Sequence, residues 1–429
     1  MTKAKKNTGI SLIALLLAIM FILLSFLSKY LIFLYPLIIV FLTLKKTEDG
    51  LAFVIFTLGM DFTGFYDGFI GPLHPNSISV IGMMLFLGIA LLKQKKVTVS
   101  FPTKIFALFV LYISINLIFS SAKFEGIKML GKFLVMLLAL ALFNNYNIKF
   151  YKLMKYFTIS GAVSIFVFNT IYYFILGNPI LIDFSGRVRL FGGAFWATAY
   201  PLFMSVCFIS SLLMFRKTKK LPYLIFAGLY FAYAIASYTR AVWVALFIVI
   251  TFYFIYNKAW VKLVATYFIV FFVLANFLVY FMVLGSATVD QKKTTTERFT
   301  AGRSDLWEVF YEKYKEKPIF GLGFEYTMAN SERLVGIKAI HSDPLRVLFD
   351  LGLFGFLLYG IFIIIQTMKL LKIRKKDPYR YIMLFFIFYF IASLTGNIFN
   401  YIQLIGFPMF AMLGLAANKK WVKNESTGN

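Results

Sequence analysis

Long apolar runs, separated by short basic breaks, are the feature of this 429-residue chain that most limits its fold. The runs are about 15 to 22 residues long, close to the roughly 20 residues that a helix needs to cross the hydrocarbon of a bilayer. Hydrophobic residues make up 61% of the sequence and the mean hydropathy is +0.81, well above the values of soluble domains. The sequence therefore predicts an all-α integral membrane protein, a polytopic bundle of about 12–14 transmembrane helices.

The apolar runs and the polar stretches divide the chain into four parts. N-terminal transmembrane helices are predicted over 1–284, an extracytoplasmic loop with short helices over 285–345, C-terminal transmembrane helices over 346–417, and a cytoplasmic tail over 418–429. The candidate spans are 10–28, 30–44, 51–66, 77–92, 104–120, 127–143, 157–176, 194–215, 221–236, 241–257, 261–284, 346–368, 381–397 and 401–417. The short early runs could merge or lie flat.

Basic residues indicate which side of the membrane each break faces, because Lys and Arg collect on the cytoplasmic side. With the N-terminus inside, the inner breaks hold 27 of the 44 Lys and Arg residues and only four acidic ones, so they account for most of the net charge of +26. A nucleic-acid site would need basic residues on a soluble face with stacking aromatics, whereas the many Phe residues lie in the spans. No nucleic-acid partner is expected, and both termini are predicted to be cytoplasmic.

Cysteine and histidine are scarce. The single Cys207 lies in an apolar run, which excludes an intramolecular disulfide framework and a thiolate cluster. The two histidines, His74 and His341, do not have the spacing of a metal-ligand motif. The sequence therefore implies neither a metal nor another cofactor, and His74, between Leu73 and Pro75, is interpreted as a turn residue.

The loop over 285–345 carries nine basic and nine acidic residues, a balance suited to a small soluble cap on the membrane. Ser304 is predicted to cap a helix over 305–316 that Pro318 ends. A second short helix is predicted to begin at Pro344 and to continue into the next span.

Arginine, never lysine, stands near the membrane surface in three of the predicted outer turns: at Arg187 and Arg189, at Arg240, and at Arg303, which precedes the helix. Guanidinium groups hold phosphate oxygens in a fork, and a helix N-terminus favours an anion. A diphosphate at the level of the lipid headgroups is the predicted ligand. Alternatively, such arginines only extend toward lipid phosphates.

His341 is the candidate proton acceptor, because imidazole changes charge near neutral pH. Asp343, Asp305 and Arg298 are candidates to contact sugar or to support the other site residues. His341 could instead be a loop histidine with a structural hydrogen bond. The Gly321-Leu322-Gly323 stretch is weak evidence for nucleotide binding, since no strand precedes it.

Five short motifs, in this order along the chain, resemble the O-antigen ligase and Wzy-type polysaccharide polymerase superfamily. They are Arg189-Leu190-Phe191-Gly192, Ser237-Tyr238-Thr239-Arg240, Gly302-Arg303-Ser304-Asp305-Leu306-Trp307, Pro318-Ile319-Phe320-Gly321-Leu322-Gly323 and His341-Ser342-Asp343-Pro344-Leu345. The chain departs from the family pattern at Ser342, where Asn is common, and at 195–197, where a Pro-Asn pair is common.

The resemblance implies a multispan helical bundle that transfers glycans from an undecaprenyl diphosphate carrier without a metal. It implies that Arg189, Arg240 and Arg303, with Arg187 as the alternative to Arg189, hold the donor diphosphate, and that His341 activates the acceptor hydroxyl. The function predicted from it is an inverting polymerase that joins lipid-linked oligosaccharide units at the outer face of the bacterial plasma membrane. Its partners would be the lipid-linked oligosaccharide, the bilayer, a chain-length regulator and a flippase.

Three other functions stay open at this stage. A ligase that moves a finished glycan to lipid A core or another acceptor would carry nearly the same motifs. A flippase or transporter for lipid-linked sugars would also have many spans, but it tends to place ionisable residues near the midplane of two repeated halves, and no internal repeat is visible here. A structural scaffold would give no reason for the outer arginines and the histidine.

Overall fold

A computed structural model describes residues 11–59, 75–175, 177, 181–183, 188–190, 199–237, 239–268, 303–336, 340–373 and 379–418. Within these ranges the α-helices are α1 Leu12–Leu27, α2 Leu34–Lys45, α3 Thr47–Phe56, α4 Pro75–Leu92, α5 Phe101–Phe119, α6 Lys123–Asn145, α7 Phe150–Val163, α8 Ala199–Thr218, α9 Leu221–Ala236, α10 Arg240–Tyr256, α11 Arg303–Tyr314, α12 Tyr326–Val335, α13 Asp343–Ile373, α14 Tyr379–Thr395 and α15 Phe407–Ala417. Residues 260–268 are also helical. Short 3-10 or π segments cover Lys29–Phe33, Ser164–Asn169, Ile171–Ile175, Ile398–Tyr401 and Ile402–Gly406.

The described helices confirm the all-α membrane fold. Four of them are long and apolar enough to cross a membrane, namely α5, α6, α8 and α13, and seven shorter apolar helices have 10–17 residues. Their buried side chains form one extended core of aromatic and aliphatic residues. The described part of the chain departs from this pattern in one two-stranded antiparallel hairpin, β1 Leu181–Asp183 and β2 Val188–Leu190.

Helix ends that the basic breaks predict to share one side do meet in space. At the start of α3, Glu48 accepts a hydrogen bond of 2.9 Å from Tyr156 Oη and forms an ion pair with Lys152 in α7. At the start of α14, Arg380 Nη1 donates to the Tyr256 carbonyl oxygen at the end of α10, at 3.2 Å. We call this side of the bundle the basic end. That it faces the cytoplasm remains a prediction.

The opposite end carries a small cap built from α11 and α12. Leu306 and Phe310 of α11 pack against Ile340 and Phe349 in a core separate from that of the bundle. The helix predicted over 305–316 begins at Arg303, two residues earlier, so Ser304 lies in its first turn and the predicted cap at Ser304 is wrong. Because Phe349 belongs to α13, the cap is closed by the helix that enters the membrane.

The helix α13 begins at Asp343 and is broken once. Gly352 has non-helical dihedral angles, φ 69° and ψ −174°, so a short first half lies before it and a long second half after it. The predicted short helix that runs on into a span is therefore confirmed. The predicted boundary between loop and span at 345/346 lies inside α13.

Candidate functional site

His341 lies between the cap and the bundle, and its backbone is held on both sides. Its φ of 54° is in the left-handed region, which is uncommon for a residue other than glycine. The His341 N–H donates to Asn397 Oδ1 at 3.0 Å, and the carbonyl of the preceding Ile340 accepts from Trp307 Nε1 at 2.8 Å. Contacts with the cap helix α11 and with the segment after α14 therefore fix the backbone position from which the half-buried imidazole extends.

Asp343 ties the same region to the turn after α14. Its side chain is fully buried, and its Oδ2 accepts a hydrogen bond of 3.2 Å from the Phe399 N–H. A fully buried carboxylate is not placed to contact a sugar in the outer space. Of the two roles considered for Asp343, the geometry favours support of the loop that carries His341.

Arg240 is exposed at the first position of α10, in the tight turn after α9 where the sequence predicted it. The antiparallel helices α10 and α14 pack along their lengths, and at the basic end Tyr256 and Asn257 contact Arg380 and Tyr381. Both helices have 17 residues. The start of α10 therefore lies level with the end of α14, which leads into Asn397, so Arg240 and His341 are at the same end of the bundle.

The other predicted site residues are only partly described. Arg189 lies in β2, where its backbone pairs with Ile182 of β1. Arg303 is the first residue of α11 and Asp305 lies in its first turn. Arg187 and Arg298 lie outside the described residues. Their roles in binding diphosphate or sugar stay predictions.

The structure also contains a buried ionic cluster that the sequence did not predict. Arg346 of α13 forms an ion pair with Glu325, lies 4.0 Å from Asp350 Oδ2, and donates to Asn400 Oδ1 at 3.0 Å. Lys132 of α6 donates to the Asn400 carbonyl oxygen at 2.8 Å. Buried charges persist only where they are paired and hydrogen-bonded. The cluster therefore fastens α6, α13, the segment before α12 and the turn after α14 to one another.

One signal in the sequence could have revealed this cluster. Asp343, Arg346 and Asp350 are spaced by three and four residues, which places three charges on one face of a helix. Arg346 and Asp350 also lie inside a run counted as a span, and ionisable residues in such a position are costly unless they have a role. Among the described residues, no group of three or more His, Cys, Asp or Glu side chains is arranged to hold a metal ion.

Comparison with known families points to the same part of the chain. The O-antigen ligase family model matches residues 225–360. Over these residues the chain is similar to the O-antigen ligase family, which supports the resemblance to the O-antigen ligase and Wzy-type polymerase superfamily. The match covers about a third of the chain and contains Arg240, Arg303 and His341. It supports a membrane enzyme that transfers glycans, of the ligase or polymerase type. No curated protein matches the chain.

Proposed function

We propose that this protein is a polysaccharide polymerase that joins oligosaccharide units carried on undecaprenyl diphosphate, at the outer face of the bacterial plasma membrane. The observation that carries the proposal is the location of His341. It stands at the end of the bundle away from the basic end, on a backbone fixed by Asn397, and at the same end as Arg240. A base and a phosphate-binding group on one face are what glycan transfer from a diphosphate carrier requires.

In the proposed reaction, the hydroxyl at the nonreducing end of one unit attacks the anomeric carbon of the growing chain. The new bond joins the hydroxyl oxygen to that carbon, and the bond from the carbon to the diphosphate oxygen breaks. The proton of the hydroxyl passes to His341, and the electron pair leaves with the undecaprenyl diphosphate. Displacement in line inverts the anomeric centre.

The arginines stabilise the departing diphosphate in this mechanism. Arg240 is exposed at the start of α10, where the guanidinium donors and the N-terminus of the helix both favour an anion. Arg303 starts α11 in the same way. Arg189 or Arg187, Arg298 and Asp305 would complete the site.

The ligase is the second candidate, because the matching family model is described as O-antigen ligase. A ligase would transfer the finished glycan once, to lipid A core or another acceptor. In either case the chain-length regulator and the flippase are proposed partners in the membrane.

Purified protein in proteoliposomes, supplied with lipid-linked repeat units alone, separates the two candidates. A ladder of products on a gel, with spacings of one repeat, is expected for the polymerase. Single transfer that depends on added lipid A core would instead establish the ligase. Absence of any glycan product with both acceptors would contradict both.

The same assay tests the diphosphate site. Arg240→Ala is expected to abolish the ladder while the protein stays in the membrane, and Arg240→Lys is expected to recover little, because an ammonium group lacks the guanidinium fork. Arg333, exposed on α12, offers a matched control, and Arg333→Ala is expected to leave the ladder unchanged. A ladder of normal length from Arg240→Lys would indicate simple charge attraction in place of forked binding.

A further inference from the structure

The turn at Pro318, Ile319 and Phe320, which we call the wedge, fills the break in α13. After the break, the Leu353 and Phe354 N–H groups donate to the carbonyl oxygens of Pro318 and Ile319, at 2.8 and 3.1 Å. These donors begin the second half of α13 and have no partner within that half. The wedge therefore replaces the missing turn of the broken helix.

The residues that follow the wedge form hydrogen bonds with the first half of α13, on the other side of the break. The Leu322 and Gly323 N–H groups donate to the carbonyl oxygens of Phe349 and Asp350, at 2.9 and 3.0 Å. Gly321 makes room for this docking, since a Cβ atom there would lie 2.4 Å from the Asp350 oxygen. The wedge is consequently attached rigidly to the part of α13 that enters the membrane.

The wedge lies well below the cap-side end of α5. The Phe320 carbonyl oxygen accepts from Asn116 Nδ2 at 2.9 Å and from Tyr112 Oη at 3.4 Å. Tyr112 precedes the end of α5 at Phe119 by about two turns, or about 10 Å along the helix. Over that length α5 still exposes apolar side chains, with Ile118 65% exposed. The wedge thus lies at a level where α5 exposes apolar side chains.

The side chains of the wedge extend this apolar surface. Ile319 and Phe320 are 58% and 65% exposed. Next to them the rings of Tyr112 and Phe354 are in contact, with centroids 4.9 Å apart, and Phe354 is 48% exposed on the second half of α13. A continuous apolar face therefore runs from α5 across the wedge to α13.

We propose that the wedge is inserted into the bilayer leaflet on the cap side and that Ile319 and Phe320 contact lipid acyl chains. Irregular backbone is tolerated at such a depth where its polar groups are satisfied by protein. All three carbonyl groups of the wedge accept hydrogen bonds, which leaves only the Ile319 and Phe320 N–H groups of the wedge without a protein acceptor among the described contacts. Lys315 and Lys317 stand just before the wedge and are exposed, so their ammonium groups can reach the headgroup phosphates above it. The wedge anchors the cap to the membrane surface.

Spin labelling tests this proposal without any glycan substrate. The only cysteine, Cys207, is buried, so a Cys207→Ala background allows labels at Ile319→Cys or Phe320→Cys in proteoliposomes. The reference for lipid is Phe354→Cys, and the reference for water is Glu312→Cys, on the exposed surface of α11. Collision of each nitroxide with oxygen and with a water-soluble nickel chelate is measured by electron paramagnetic resonance.

At both wedge positions the ratio of oxygen to nickel collisions is expected to match that of Phe354→Cys and to exceed that of Glu312→Cys several-fold. A ratio equal to that of Glu312→Cys would place the wedge in water and overturn the proposal. Low collision rates with both reagents would mean that protein covers the wedge, which also overturns it. If one of the two variants does not insert into liposomes, the other still tests the proposal. Neither measurement depends on whether the protein polymerises glycans.

Discussion

The position of the His341 side chain, the candidate base, is set by the conformation of its backbone. Left-handed dihedral angles cost an ordinary residue roughly 1–2 kcal/mol, so the φ of 54° at His341 persists because neighbouring groups hold it. Those groups are Asn397, which accepts the His341 N–H, and Trp307, which binds the preceding carbonyl. The imidazole therefore projects from a fixed point between the cap and α14.

If His341 is the general base, His341→Ala should lower turnover by about a hundredfold or more, the usual effect of removing a positioned acid–base group. His341→Gln should fail as well, because an amide does not take up a proton at neutral pH. Wild-type activity should fall on acidification, since the base must be neutral. These effects are measured by the gel ladder, with His74→Gln as the control. An undiminished ladder from His341→Gln, or loss of the wild-type ladder in EDTA that added metal restores, would contradict the mechanism.

Asn397 is expected to act through His341. Asn397→Ala removes the acceptor of the His341 N–H, and the loss of one buried hydrogen bond, about 1–1.5 kcal/mol, corresponds to roughly a tenfold lower kcat. The KM for the donor should change little. Asn397→Asp keeps an acceptor oxygen and should recover activity. Asn330→Ala is the control, because the half-buried Asn330 side chain forms its hydrogen bonds within α12, with Tyr326 and Arg333. A loss that Asp does not rescue would point to general damage to the fold.

At the scale of elements, the broken helix α13 and the segment 318–323 depend on each other. The Pro-Ile-x-Gly-x-Gly motif, which suggested nucleotide binding only weakly, has a structural explanation in the described fold. Gly321 and Gly352 both have positive φ, at 78° and 69°, and their backbones approach so closely that neither has room for a side chain. The motif is the part of the cap that docks into α13.

Gly352→Ala is therefore expected to destabilise the protein. The new Cβ would lie 2.3 Å from the Ile319 carbonyl oxygen, and the combined cost of positive φ and overpacking is about 2–5 kcal/mol. The apparent unfolding temperature in detergent should fall. Gly360 lies on the same helix with no heavy atom within 4 Å of its Cβ position, so Gly360→Ala should leave that temperature unchanged or raise it slightly. Equal temperatures for the two variants would show that the close approach at Gly352 is not needed.

At the scale of the whole molecule, charge and hydropathy organise the two ends of the bundle differently. At the basic end, polar contacts join the helix termini. Glu48 forms an ion pair with Lys152, and Lys93 donates hydrogen bonds to the carbonyl oxygens at the end of α2. The other end carries the cap, Arg240 and His341. This asymmetry is what the positive-inside rule predicts for a protein whose candidate site faces outward.

The orientation can be tested directly with fusions. A phosphatase that is active only after export should be active when fused after Lys293, in the loop that precedes α11, and inactive when fused after Lys219, in the turn between α8 and α9 at the basic end. A green fluorescent protein that folds only in the cytoplasm should give the opposite pattern at both positions. Reversed patterns would place the candidate site in the cytoplasm and exclude the proposed polymerase.

Local features of this chain could be predicted from the sequence by itself. The span predicted over 221–236 coincides with α9, and the turn at Arg240 and the helix after Gly302 lie within two residues of their predicted locations. Hydrophobic runs and the breaks between them act within one or two helical turns, so the order of residues is sufficient to predict them. The same holds for the sorting of Lys and Arg into one set of breaks.

Only the tertiary structure decided which distant segments meet. Nothing local links Asn397 to His341, Glu325 to Arg346, or Gly321 to Gly352, yet these pairs position the candidate base, neutralise the buried charges and dock the cap into the broken helix. Each pair forms because packing of whole helices brings together groups that are 21 to 56 residues apart in the sequence, and a buried polar group must then find its partner there. The sequence by itself determined the membrane bundle and its charged sides, whereas the arrangement around His341 depends on how the helices pack.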